Sequence, residues 1–495
     1  MTDSDRSKTE ESTTPPETPE HHEEHVSVTE HTVTIGRRKV PYTATAGRLV
    51  LKDEKGAKKA SFFSTSYIRS DVDDQSTRPI IFAFNGGPGS ASVWLHLGAF
   101  GPRRVELDTE GMAGPPPGQL VENGTSLLDV ADLVFIDPVG TGFSRGIPKD
   151  DESGYFHFTK DIESVAEVIR LLIGRHGRWA SPKYLAGESY GTTRAAGLAA
   201  HMLERDTVYF NGLILVSSIL NFTTAGFDPS TFTFTPGNDL PYILFLPTYA
   251  ATAHFHGVVG KKHRKRKLPE FLDEVRDFAR TEYATALLQG DDLDPASALD
   301  IATRLSEYTG LGTEYLLRYR NRVEILRFCK ELLRSQGHTV GRLDSRYTGR
   351  DRFVDGDSIE NDPAGDEVGG LFGALLNDYV RRDLGYETDL PYVILSMDVN
   401  KKWNYEDFKG RSVDVSEALR STMVRNTHMK VYVANGYYDL ATPHFATEYT
   451  FSHMSLPPEA KDRVEMSYFD AGHMMYLKKS ELVRLNDEIR AFVST

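Results

Sequence analysis

Residues 185–191 read Leu185-Ala186-Gly187-Glu188-Ser189-Tyr190-Gly191. The Gly-x-Ser-x-Gly frame lies between a strand-like stretch, residues 183–186, and a run of small residues, 192–200 (TTRAAGLAA). Such a frame lifts a serine hydroxyl onto a sharp strand-to-helix turn. Gly187 and Gly191 stand where a side chain would clash with the turn or the neighbouring strand, and the small residues let a helix start close under a sheet. A plain tight turn around a buried serine shares this pattern, but the flanking strand and helix favour a nucleophile.

A nucleophilic serine needs a base, and the order serine, acid, histidine is the one expected when all three leave successive strand ends of an α/β-hydrolase sheet. Val431-Tyr432-Val433-Ala434-Asn435-Gly436 reads as a strand running into a turn, and Tyr437-Tyr438-Asp439 puts Asp439 at its carboxyl end. Met466-Ser467-Tyr468-Phe469 reads as a further strand, left by Asp470-Ala471-Gly472-His473. His473 is therefore the base candidate. Asp470 competes with Asp439 as the orienting acid, but acid and base on two separate loops favour Asp439.

Acyl transfer also needs donors aimed at a developing oxyanion. The apolar run at residues 80–84 ends in Asn85-Gly86-Gly87-Pro88-Gly89-Ser90, a glycine-rich loop whose backbone amides can serve. A phosphate loop is excluded because no Gly-Lys-Ser or Gly-Lys-Thr follows, and the glycine spacing does not fit a dinucleotide fingerprint.

Together these motifs resemble the serine carboxypeptidase family, the carboxypeptidase Y-like group. Asn85 to Ser90 is similar to its Asn-Gly-Gly-Pro-Gly loop, Gly187 to Gly191 to its Gly-Glu-Ser-Tyr elbow, and Gly472-His473-Met474 to its Gly-His-Met turn. Residues 132–144 (DLVFIDPVGTGFS) resemble the family segment between the first two motifs. The resemblance implies an α/β-hydrolase fold: a mixed central β-sheet flanked by helices, with a largely helical cap insertion. It implies Ser189 as nucleophile, Asp439 as orienting acid and His473 as general base. The amides of Gly87 and Tyr190 would form the oxyanion hole, and Asn85 and Glu188 would receive the free C-terminal carboxylate of a peptide. One carboxylate accepts another only if one of the two holds a proton, so Glu188 would be protonated in the productive complex.

Two features depart from the family pattern. Many members carry a glutamate where Leu97-Gly98-Ala99-Phe100-Gly101-Pro102 has Ala99, so Glu188 has no second carboxylate there to share its proton. Eukaryotic secreted members are disulfide-braced, whereas this chain has one cysteine, Cys329, and forms no internal disulfide. The expectation is a bacterial-type member, with Cys329 a small buried hydrophobe in a helix.

Composition agrees with an enzyme of this size. The 495 residues are 39% hydrophobic, enough for a large core, and the net charge of −14 argues against a nucleic-acid binder. No apolar run is long enough to span a membrane, so no membrane insertion is expected. The first 26 residues are acidic and proline-punctuated with no apolar core of a signal peptide, which leads to a cytoplasmic expectation, or a periplasmic or secreted one if the N-terminus is misassigned. Residues 1–28 are read as a disordered acidic tail, residues 29–220 and 386–495 as the catalytic core, and residues 221–385 as the cap.

Alternating stretches at residues 31–35, 40–46, 48–51 and 60–67 read as antiparallel strands forming one edge of a mixed sheet. Residues 80–84, 132–136, 183–186, 213–216, 391–396 and 431–434 supply more strands, and residues 161–172 a helix between them. Within the cap, residues 268–289, 295–307, 313–320 and 321–336 carry helical patterns. The run Lys261-Lys262-His263-Arg264-Lys265-Arg266-Lys267 lacks aromatic interleaving and reads as a solvated loop. The acidic residues 351–357 fail calcium-loop spacing. Neither cofactor nor metal is expected.

The expected function is removal of residues from peptide C-termini through an acyl-enzyme. The partners are peptides with a free C-terminus, and a homodimer is allowed for. An esterase or acyltransferase on the same scaffold, and a non-catalytic peptide-binding protein, are the alternatives.

Overall fold

Ten strands share one sheet in the computed structural model, which describes residues 23–147, 149–225, 227–228, 233–234 and 236–494. Strands β1 (His25–Ile35), β2 (Arg38–Lys52) and β3 (Lys58–Arg69) form an antiparallel meander at one edge. Next come β4 (Ile80–Phe84), β5 (Asp132–Ile136), β6 (Arg145–Gly146), β7 (Lys183–Glu188), β8 (Gly212–Val216), β9 (Lys430–Gly436) and β10 (Val464–Phe469). The spatial order is β1-β2-β3-β5-β4-β7-β8-β9-β10, with β6 paired to β3. From β5 to β10 every pairing is parallel. The fold is of the α/β-hydrolase type, with a mixed sheet, flanking helices and a helical insertion.

Strands β4, β5, β7 and β8 are buried along their whole length and mostly apolar because both faces are covered. In β4, Ile81 and Ala83 point into one core while Ile80, Phe82 and Phe84 point into the other. From β4 the chain moves to β5 on one side and then to β7 on the other. The loops leaving β4 and β7 therefore meet where the strand order reverses, the crevice in which open α/β sheets bind ligands.

Several expectations change at their edges. The N-terminal tail lies outside the described residues up to residue 22, but β1 already starts at His25, inside the stretch assigned to the tail. The early start follows from partners: His25 registers with Arg48, and Glu24 pairs with Arg175 at 2.7 Å. The stretches at residues 40–46 and 48–51 form one continuous strand, β2. Residues 391–396 are not a strand. They make only isolated bridges, Val393 to Gly142 and Leu395 to Ser90, because their partners are loops.

Between residues 221 and 385 the chain builds helices Leu240–Phe255, Leu268–Phe278, Pro295–Thr309, Thr313–Arg318, Ile325–Glu331 and Pro363–Arg382. All but the last share a core that also takes in Tyr438 and Leu440 from the loop after β9 and Phe445 from the helix His444–His453, whereas Pro363–Arg382 packs Val368, Phe372 and Leu376 into a core of the main sheet. Leu240–Phe255 and Pro363–Arg382 escaped the sequence reading for opposite reasons. The first is apolar nearly all round, so it shows no helical period. The second carries Gly365, Gly369, Gly370 and Gly373, which depress helix propensity.

In the basic run His263 is buried, Lys262 pairs with Glu307 at 2.6 Å and Arg266 pairs with Glu274. Asp351 of the acidic stretch pairs with the buried Lys330 at 2.6 Å. Cys329 is buried as a free thiol in the insertion core. No described helix is long and apolar enough to cross a membrane.

Candidate active site

Ser189 closes β7 and opens helix α2 (Tyr190–Arg205) with φ 60° and ψ −129°, a conformation L-residues avoid. The two frame glycines make it attainable. A Cβ on Gly187 would fall 2.1 Å from Gly191 O, and one on Gly191 would fall 2.9 Å from Phe84 O. The elbow is pinned to the sheet by Ser189 N donating to Val216 O at 3.0 Å.

His473 and Asp439 come together as the sequence order implies. Nδ1 of His473 lies 2.8 Å from Asp439 Oδ2, and both side chains are buried. Asp439 is saturated on its other side: Oδ1 accepts from Ala441 N at 2.8 Å and Thr442 N at 2.9 Å, and Oδ2 accepts from Thr442 Oγ1 at 2.7 Å. Asp470, the competing acid, instead accepts from Tyr438 Oη and pairs with Lys478 at 2.7 Å. Ser217 links the strand ends: its amide donates to Ala434 O at 2.9 Å and its hydroxyl to His473 O at 2.7 Å. The imidazole's hydrogen bonds run through Nδ1, and no bond between Ser189 Oγ and His473 is made among the described residues. Such bonds are commonly long before substrate binds and tighten in the complex.

The loop after β4 meets the elbow by register, since Phe84 pairs with Gly187. A Cβ on Gly86 would lie 2.4 Å from Tyr190 N and 2.6 Å from Gly191 N, so only glycine permits this approach. Gly87 follows with φ 103°, again a glycine conformation. Among the described residues, neither the Gly87 nor the Tyr190 amide donates to a backbone carbonyl outside regular elements. Asn85 is 1% exposed, and its Oδ1 accepts from Leu95 N at 3.2 Å. Its Nδ2 is buried without an acceptor in hydrogen-bond geometry, although the amide is near enough to Glu188 to lower that group's pKa. A buried donor left open in this way is suited to a ligand oxygen.

Glu188 is 3% exposed, and its Oε2 accepts from Tyr476 Oη at 2.7 Å. The Tyr476 ring packs against Gly98, where a Cβ would fall 2.5 Å from Cε2. Beside the position of Ala99, then, the neighbour of Glu188 is a phenol and not a second carboxylate. Burial pushes the Glu188 carboxyl up to about 7, against the pull of His473 and the Tyr476 hydrogen bond. Burial pulls the His473 imidazole down, but the charge and hydrogen bond of Asp439, joined by the charge of Glu188, outweigh it and raise its pKa. Burial pushes the Asp439 carboxyl up, yet His473 and Thr442 hold it below the usual range. Desolvation is thus compensated by partners for the acid and the histidine but not for Glu188.

Residues 38–225 match the family model described as "Serine carboxypeptidase". That stretch contains the Asn85 loop and the Ser189 elbow and ends before Asp439 and His473. Over 128 residues the chain is 34% identical to the pheromone-processing carboxypeptidase KEX1 of Saccharomyces cerevisiae, a match covering 25% of this chain and 16% of the yeast protein. It is 28% identical over 173 residues to serine carboxypeptidase-like 36 of Arabidopsis thaliana, 33% of each chain. The chain therefore spans a third or less of the length of these relatives. A crystal structure of KEX1(delta)p, described as a prohormone-processing carboxypeptidase from S. cerevisiae, shares the fold with a TM-score of 0.57 at 16% identity, covering 92% of this chain and 91% of that one. The named relatives are fungal, plant and nematode proteins, which corrects the expectation of a bacterial-type member. That expectation leaned on the single cysteine, and cysteine count reports redox compartment, not lineage.

The sequence reading did not find Tyr476, Thr442, Ser217 or Asp137. Tyr476 lies three residues after His473, and its burial beside Glu188 depends on packing that spacing does not reveal. Asp137 accepts from the amide and hydroxyl of Ser92 at 2.8 and 2.7 Å, fixing the chain just beyond the glycine loop. A Cβ on Gly142 would overlap its other oxygen at 1.8 Å, a physical reason for glycine in that part of residues 132–144.

Proposed function

We propose that this protein is a serine carboxypeptidase that releases C-terminal residues from peptides through an acyl-enzyme on Ser189. The observation that carries the reading is the pair of buried side chains beside the nucleophile: Asn85 with an open amide donor, and Glu188 with its pKa raised to about 7. A substrate carboxylate accepts one hydrogen bond from Asn85 and one from protonated Glu188, which sets the last peptide bond over Ser189. His473 takes the serine proton as Oγ bonds to the carbonyl carbon, and the oxyanion meets the amides of Gly87 and Tyr190. Cleavage of the C–N bond returns that proton to the leaving amine. Water, activated by His473, then hydrolyses the ester.

The two titrations oppose each other. His473 must be neutral, so activity rises as pH increases through its elevated pKa. Glu188 must hold a proton, so carboxylate binding is lost as pH increases through about 7. The peptide profile is therefore a narrow bell whose apparent limbs belong to the coupled pair. In Glu188→Gln the basic limb disappears, since no proton uptake is needed. The acidic limb moves to lower pH, because His473 loses a neighbouring negative charge. A basic limb identical to the parent's in kcat/KM against pH would refute the role of Glu188.

Asn85→Ala removes a donor to a charged acceptor, worth about 1.5–3 kcal/mol, so peptide turnover should fall about tenfold to a hundredfold. Hydrolysis of a matched uncharged ester should fall far less. Equal losses on peptide and ester would move the esterase reading ahead of the exopeptidase one.

A further inference from the structure

Arg194 and Asp161 form an ion pair in the interior, behind the glycine loop. Arg194 is 0% exposed and Asp161 3%. Arg194 lies on α2, one turn beyond the nucleophile, and Asp161 on helix α1 (Phe158–Arg175). Nε of Arg194 donates to Asp161 Oδ2 at 2.8 Å, while Nη1 donates to the backbone carbonyl of Asn85 at 2.6 Å. The guanidinium also sits 5.4 Å from the Phe84 ring centroid and 5.3 Å from that of Tyr190. One side chain thus touches Asn85 on the glycine loop and Tyr190 at the start of its own helix, the two segments whose amides are assigned to the oxyanion.

A buried ion pair is a weak source of stability, and apolar residues of similar volume often serve as well or better. A guanidinium does here what an apolar side chain cannot: its planar fork bonds two groups in fixed directions. Bonding Asn85 O orients the peptide that follows it, and with it the path toward the Gly87 amide.

We propose that Arg194, held by Asp161, is a positioning residue that sets the oxyanion loop against the elbow. This inference rests on the acyl-transfer reading of Ser189. It differs from carboxylate recognition because an oxyanion forms on peptides and uncharged esters alike.

The test compares the parent with Arg194→Lys and with the double variant Asp161→Leu, Arg194→Met, which removes both charges together. Each is assayed on a free-ended peptide and a matched uncharged ester, alongside the melting temperature. A misplacement of about 1 Å in catalytic geometry lowers rate by up to about a hundredfold. The expected result is a fall of that order in kcat on both substrates in the double variant, with ester KM and Tm close to the parent's. Arg194→Lys, which keeps the ion pair but cannot span both partners, should fall in between. Should the double variant not fold, the kcat of Arg194→Lys at unchanged Tm decides the question. Retention of parental kcat in the folded variants would overturn the proposal while leaving the triad intact. A loss confined to the peptide would also overturn it, and no turnover of either substrate by the parent would overturn it together with the acyl-transfer reading.

Discussion

Substitution of Ser189 by alanine should abolish labelling by a fluorophosphonate and lower kcat/KM by roughly 10⁴- to 10⁶-fold, the loss seen when the nucleophile of a serine triad is removed. The backbone argues for the serine as strongly as the motif does. A residue with φ 60° outside glycine costs on the order of 1–3 kcal/mol, and such strain persists where the surroundings enforce it. Here Gly187 and Gly191 allow the elbow to pass within contact of itself and of β4, and the result is a half-buried hydroxyl at the strand switch point. Alanine keeps the turn and loses only Oγ, so Tm should hold. His473→Ala should cost a similar factor, because a neutral hydroxyl is a poor nucleophile without a base. Mapping the phosphonyl adduct to another residue, or turnover in Ser189→Ala within about tenfold of the parent, would defeat the assignment.

Local chemistry made much of this architecture legible. Residues 80–84, 132–136 and 183–186 are short and, apart from Asp132 and Lys183 at their starts, apolar, as suits strands covered on both faces, and punctuation by glycine marked where each ended. Residues 295–307 could be read as a helix from Asp294 and Pro295 at the start and Gly310 at the end, and the Asp294 side chain caps the Ala296 and Ser297 amides. What stayed hidden depends on tertiary partners. Residues 391–396 carry the apolar run of a buried strand, but the chain brings Gly142 and Ser90 against them, and loops do not extend a ladder.

The site divides along the same line. Ser189, His473 and Asp439 sit in turns that announce themselves by glycine and by position after strands. Tyr476 and Arg194 act from helical or near-helical segments where nothing in the spacing distinguishes them from packing residues. Ala99 was legible as the loss of a carboxylate partner, whereas the phenol beside Glu188 was not. The consequence is chemical: a carboxyl facing a neutral hydroxyl has no second carboxylate to share its proton, and burial pushes it up to about 7 while its charge stays coupled to that of His473.

Asp439→Asn should lower kcat by about 10⁴-fold with little loss of stability, through the tautomer of His473. Oδ1 of Asp439 accepts two backbone amides, from Ala441 and Thr442, so an asparagine keeps its carbonyl oxygen there and turns its amide nitrogen toward His473. Nδ1 of His473 then has to accept, which places the ring proton on Nε2, the nitrogen that should take the proton of Ser189. Loss of the Asp439 charge also removes the largest influence raising the His473 pKa. With that influence gone, burial dominates and the imidazole stays neutral to lower pH. The residual activity on an uncharged ester should therefore keep its value further into acid than the parent's does, a shift of the acidic limb opposite in direction to any general loss of the fold. Asp439→Ala lacks the amide that enforces the wrong tautomer and should retain more activity than Asp439→Asn when the assay is made above the neutral range. Parental rates in Asp439→Asn, or an acidic limb that does not move, would show that His473 takes its orientation from something other than Asp439.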